Sequence, residues 1–161
     1  MAGRGKSKKS NATLLQLEQM RNIDKLLSEH AATVLSAEQF GHGKGYYADL
    51  EGKKFPRIWI YDTFPTINND KYGNIGSVTY NVLGGVQKTQ AIDDSPETLV
   101  EALGECQMIL MQYMALVSKD DRITVIGRIK CEENWHLLAD NVQEISFAVE
   151  ITMDEPYTPI C

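Results

Sequence analysis

The stretch EISFAVEITM, Glu144–Met153, decides the fold. Ile145, Phe147, Val149, Ile151 and Met153 are apolar, and Glu144, Ser146, Ala148, Glu150 and Thr152 stand between them. A strict two-residue period means a β-strand with one dry face and one wet face. On the wet face Glu144 and Glu150 share a side, about 20 Å apart at ~3.3 Å per residue. That separation excludes a shared proton or a shared metal. The dry face needs a layer of helices to cover it.

Two segments supply that layer. Leu17, Met20, Asp24, Leu27, Ala31 and Val34 recur at helical spacing, with Leu14, Ile23, Leu26 and His30 widening the stripe. Thr13 and Gln16 have capping-box spacing, so a helix is predicted over 12–38, ended by the glycines of GHGKG at 41–45. Ser95-Pro96-Glu97 is a second helix start, with an N-cap serine, proline at the first helical position and an acid in the first turn. Leu99, Leu103, Cys106, Leu110, Tyr113 and Val117 form its core stripe, and the helix ends near Ser118.

Between and after them lie strand patterns. FPRIWIYDTF at 55–64 is β-branched and aromatic, PTINNDKYGNIG at 65–76 is dense in turn residues, and SVTYNVLGGVQ at 77–87 alternates. These read as a hairpin with a long tip, Gly84-Gly85 marking a bulge or the strand's end. RITVIGRIKC at 122–131 is a third strand, and EENWHLLADN at 132–141 reads as a connection. The expected fold class is α+β: two helices packed on a mainly antiparallel four-stranded sheet, in the order α-β-β-α-β-β. Residues 1–11 are expected to be a disordered basic arm, 12–153 a single domain and 154–161 a tail.

With 161 residues, 43 % apolar and 24 % charged, the composition is that of an ordinary soluble domain. The net charge of −6 is unevenly spread. The first nine residues hold Arg4, Lys6, Lys8 and Lys9 and no acid, which leaves an acidic body. Four cations give weak, salt-sensitive phosphate binding, and an acidic body argues against a dedicated DNA reader. A solvated tail is the simpler reading of the arm; ordering against an acidic neighbouring subunit or a nucleic-acid phosphate is the sharper one. No stretch is long and apolar enough for a membrane span, and no secretory signal is read at the N-terminus. Cys106, Cys131 and Cys161 fit no zinc or redox spacing and read as reduced thiols of a cytosolic compartment.

No motif names a reaction. GHGKGYY lacks the strand, the glycine spacing and the following helix of a phosphate loop. His30 reads as a packed imidazole on the first helix. His136, with Glu132, Glu133 and Asp140 nearby, has no ligand spacing, so a solvated connection outweighs a metal site there. Asp93-Asp94 and Glu132-Glu133 are adjacent pairs, and neighbours on a strand point to opposite faces. Cys106 falls on a core stripe without a histidine partner. Trp59 reads as half-buried in the hairpin; it and Trp135 are the other candidates for interface anchors.

The leading helix, the pair RIWIYDTF and SVTYNVLGG, the helix opened by SPETLVEAL and the closing strand EISFAVEITM together resemble a known family across residues 12–153. The family is that of small α+β proteins in the necks and tails of tailed bacteriophages, nearest to tail-terminator or tail-completion proteins. The resemblance rests on the order of elements and not on fixed residues. It implies a non-enzymatic virion protein made in the host bacterial cytoplasm, without cofactor or metal. It also implies a homo-oligomeric ring, hexamer or dodecamer, meeting other neck, tail or portal proteins while DNA passes through unheld. On that reading Arg4, Lys6, Lys8, Lys9, Asp70, Lys71 and Tyr72 are interface candidates, and Glu144 and Glu150 face the lumen or a neighbour. The alternatives are a small cytosolic protein-binding module or secretion-system adaptor that uses an edge strand, and an enzyme around His136.

Overall fold

The computed structural model describes residues 21–43, 54–89, 95–137 and 142–157. They form, in chain order, α1 (Asn22–Val34), a 3-10 turn (Ala37–Gln39), β1 (Phe40–His42), β2 (Arg57–Asn69) and β3 (Ile75–Thr89). Then follow α2 (Pro96–Ser118), β4 (Ile123–Ile126), β5 (Lys130–Leu137) and β6 (Val142–Tyr157). The six strands make one mixed sheet in the order β1-β2-β3-β6-β4, with β5 also paired to β6. The order α-β-β-β-α-β-β-β corrects the expectation of a four-stranded antiparallel sheet.

Two strands account for the difference. β1 replaces part of the glycine loop and runs parallel to β2, with Phe40 opposite Ile58 and His42 opposite Ile60. Three residues are too few to show alternation in sequence. Gly41 makes the pairing possible, because a Cβ there would intrude into the Trp59 ring. β5 occupies the segment read as a connection. It lies antiparallel to β6 from Lys130 opposite Ala148 to Leu137 opposite Val142. β4 pairs with the other end of β6, Ile123 opposite Met153. The two follow one edge of β6, interrupted around Gly127, whose N–H donates to Glu150 O at 2.9 Å.

The first helix ends at Val34 and not at 38; residues 12–20 of the predicted helix, and the basic arm before them, lie outside the described residues. β2 and β3 run further than their patterns. Pro65 to Asn69 pair with Tyr80 to Ile75, leaving only Asp70–Asn74 as the turn. Proline is tolerated there because, among the described residues, β1 covers β2 only at 58–60, so β2 is an edge strand beyond. Gly84-Gly85 is neither a bulge nor an end. The bulge is opposite, between Ile60 and Asp62. β6 likewise continues past Met153 to Tyr157, through part of the expected tail.

α2 begins as its sequence implies, Ser95 Oγ accepting a hydrogen bond from the Thr98 N–H at 3.3 Å. Ile145, Phe147, Val149, Ile151 and Met153 are all buried, in one cluster with Leu103, Cys106, Leu110, Tyr113 and Val117 of α2 and Ile23, Leu26 and Leu27 of α1. Tyr113 meets Phe147 edge-on, ring centroids 6.5 Å apart, and donates its hydroxyl to Leu27 O at 2.8 Å. One tyrosine therefore ties α2 to the sheet and to α1.

Candidate functional site

The sheet face away from that core holds the first unusual feature. Glu144 is 2 % exposed. Its Oε2 accepts from Gln87 Nε2 at 2.6 Å and from the Tyr61 hydroxyl, and its Oε1 accepts from Asn134 Nδ2 at 3.1 Å. The donors stand on β2, β3 and β5, so one carboxylate joins four strands. Its side chain lies over Gly85, where a Cβ would collide with it. Gln87 also accepts from Arg57 Nε at 2.6 Å, and the Arg57 guanidinium stacks over Phe55 and Trp59 at 4.3 and 5.3 Å from the ring centroids. Burial first, and then the Glu144 charge, push the Tyr61 hydroxyl well above its usual range, so it stays a donor.

Glu144 and Glu150 therefore share a sheet face without sharing an environment. Glu144 is closed in by its own chain, while Glu150 is exposed. Beside Glu150 a shallow concavity of about 350 Å³ is lined by Asn81, Leu83, Arg128, Lys130 and Ala148. The surface around Glu150 is thus mixed in charge. Trp59 is fully buried, more deeply than expected, with its Nε1–H on Gly43 O at 2.6 Å.

The hairpin tip carries Asp70, Lys71 and Tyr72. Asp70 Oδ1 accepts from the N–H of Tyr72 at 2.8 Å and of Asn74 at 3.0 Å, and its own N–H donates to Asn74 O at 3.0 Å. The backbone donors of Asn74 and Tyr72 hold the Asp70 carboxyl below its usual range. Gly73 takes φ +83° to close the turn. Asp70 is thus spent on shaping the tip, while Lys71 lies over the Tyr72 ring at 5.0 Å and Tyr72 is 74 % exposed. Behind them Phe64 and Ile67 are also more than half exposed, on a β2 edge that no strand covers among the described residues. Ile67 was hidden from the sequence reading inside a segment read as turn.

The histidines and cysteines have ordinary surroundings. His30 Nε2 donates to Asp120 Oδ2 at 2.7 Å, as expected of a packed imidazole. Asp120 also accepts from Arg122, which reaches Glu29 at 2.7 Å. Burial pushes the Cys106 thiol up to about 12, away from any use as a thiolate. The side chain of His136, with Asp140, lies outside the described residues. Among the described residues no group of His, Cys, Asp or Glu is placed to hold a metal ion, and no helix is long and apolar enough to cross a membrane. Arg4, Lys6, Lys8 and Lys9 also lie outside them. Compared with known protein families and with curated proteins, the chain matches no family model and no curated sequence.

Proposed function

We propose that this chain is a non-enzymatic virion structural protein that forms a ring in the neck or tail of a tailed bacteriophage, akin to a tail terminator. The observation that carries the reading is the reach of the β2–β3 hairpin. It leaves Phe64 and Ile67, on opposite faces of β2, and Tyr72 at the tip each more than half exposed, beside a strand edge that is uncovered among the described residues. A neighbouring subunit or ring would cover such residues, and a heterologous contact of this kind gives a ring when its rotation closes. The face bearing Glu150, Arg128 and Lys130 is mixed in charge, which suits a channel that DNA passes without being held.

The same open β2 edge also favours the alternative, a small cytosolic module or secretion-system adaptor that adds one partner strand. Light scattering and negative-stain microscopy of the full chain separate the two. A closed ring alone, or one formed on isolated phage tails, is the expected result. A chain that stays monomeric at high concentration and ignores tails, yet binds one partner peptide as a strand, overturns the ring.

A further inference from the structure

The flank of α2 opposite α1 carries an apolar groove. It is about 390 Å³ in volume and runs between α2 and β5, floored by Leu110, Met111, Met114, Ile129 and Cys131. Its outer lip continues along α2 through Met108 and Val100, which with Met111 are each more than half exposed. Glu133 is exposed on the groove's side of β5, Glu132 beside it on the strand's other face, and Glu101 is exposed on α2; none makes an ion pair among the described residues, and Glu105 is already held by Lys88. An apolar floor with an acidic rim calls for an occupant that is apolar and basic.

Residues 1–20 of this chain have that composition. Arg4, Lys6, Lys8 and Lys9 come first without an acid among them, and Leu14, Leu15, Leu17 and Met20 follow. The described chain starts at Arg21, whose guanidinium bonds Thr63 O at 3.1 Å on β2. The segment is therefore rooted at the β2 side of the sheet, and the groove lies at the β5 side. Its own groove lies on the far side of the sheet from that root. In a head-to-tail arrangement the β2 side of one copy faces the β5 side of the next, and root and groove meet directly.

We propose that the groove between α2 and β5 binds residues 4–17 of a neighbouring copy, the leucines on its apolar floor and the cations on its acidic rim. This rests on the ring reading above and gives it a specific subunit contact. Cys131 in the groove allows a direct test on the full chain. Leu15→Cys, in a Cys161→Ser background, is treated with a short bismaleimide. The expected result is a ladder of covalent dimers and higher bands that is lost when Cys131→Ser is added. Adding Glu132→Lys and Glu133→Lys should lower the linked fraction several-fold, as should raised ionic strength. Light scattering on the same samples separates two failures. An assembled ring with no Cys131-dependent link, or with only an internal link inside one chain, overturns the docking and leaves the ring standing. A monomeric chain overturns both.

Discussion

Gln87 Nε2 donates to Glu144 Oε2 at 2.6 Å across the paired strands β3 and β6, where the two residues stand directly opposite each other. The pair is buried on the sheet face that carries no helix among the described residues, and Tyr61 and Asn134 complete the carboxylate's shell. A buried acid satisfied by donors from three other strands fixes the lateral order of the sheet as well as its register. Its removal leaves the Tyr61 hydroxyl without an acceptor, while Gln87 Nε2 keeps the Tyr61 oxygen at 2.6 Å and Asn134 Nδ2 keeps Ser146 Oγ at 3.1 Å.

Glu144→Ala is therefore expected to destabilise the chain by about 1–3 kcal/mol, since one buried donor left unsatisfied costs more than the net worth of the bond it made. Denaturant titration followed by circular dichroism reads this as a fall in midpoint at constant slope. An unchanged midpoint would show that water reaches the site and that the network does not hold the strands.

Gly41→Ala tests the parallel strand. The added methyl meets the fully buried Trp59 ring, which is held by its Nε1–H on Gly43 O and lies beneath the Arg57 guanidinium. Either the ring or β1 must move, at a cost of about 1–3 kcal/mol for overpacking. Tryptophan emission should shift to the red with the loss of stability. Wild-type emission together with wild-type stability would mean that β1 does not pack there.

The legible parts of this fold were the ones with long, regular periods. The dry face of Ile145–Met153 and the helix opened by Ser95-Pro96-Glu97 stand as read, because their patterns and caps are local. β5 was not legible: ENW is no strand former alone, and its hydrogen-bond partners belong to β6. The stretch PTINN reads as turn because turn residues crowd it, yet β3 supplies a partner for each of its residues. The burial of Glu144 was hidden for a different reason. Its donors Tyr61 and Gln87 lie 83 and 57 residues away in the chain. The one local hint was Gly84-Gly85, a gap in the side-chain layer of β3 that a neighbouring side chain can fill.

Asp120 provides an acid-sensitive link between α1 and the α2–β4 turn. The hydrogen bonds from Arg122, with one from His30, hold its carboxyl well below the ordinary range. A folded value below the unfolded one means stability that is fully present above about pH 4, the unfolded value, and is lost as the pH falls through the folded one. Asp120→Asn should cost about 1–2 kcal/mol at pH 7, a modest figure because Arg122 and Glu29 are partly solvated. The difference between variant and wild type should shrink on acidification below pH ~4. A difference independent of pH would assign the loss to packing instead.

Ile67→Lys separates assembly from folding. Ile67 pairs with Val78 near the end of the hairpin and is 58 % exposed, so it contributes little to the core. Its replacement should change the stability of the isolated chain by no more than about 0.5 kcal/mol. If the hairpin is an assembly surface, a lysine there buries a charge against the neighbour, and ring formation or docking on tails should fail at concentrations where wild type assembles. Sedimentation of the two proteins side by side, with thermal melts of each, reads both quantities. Equal assembly with equal stability would remove the hairpin from the interface and leave the α2–β5 groove as the remaining candidate contact between copies.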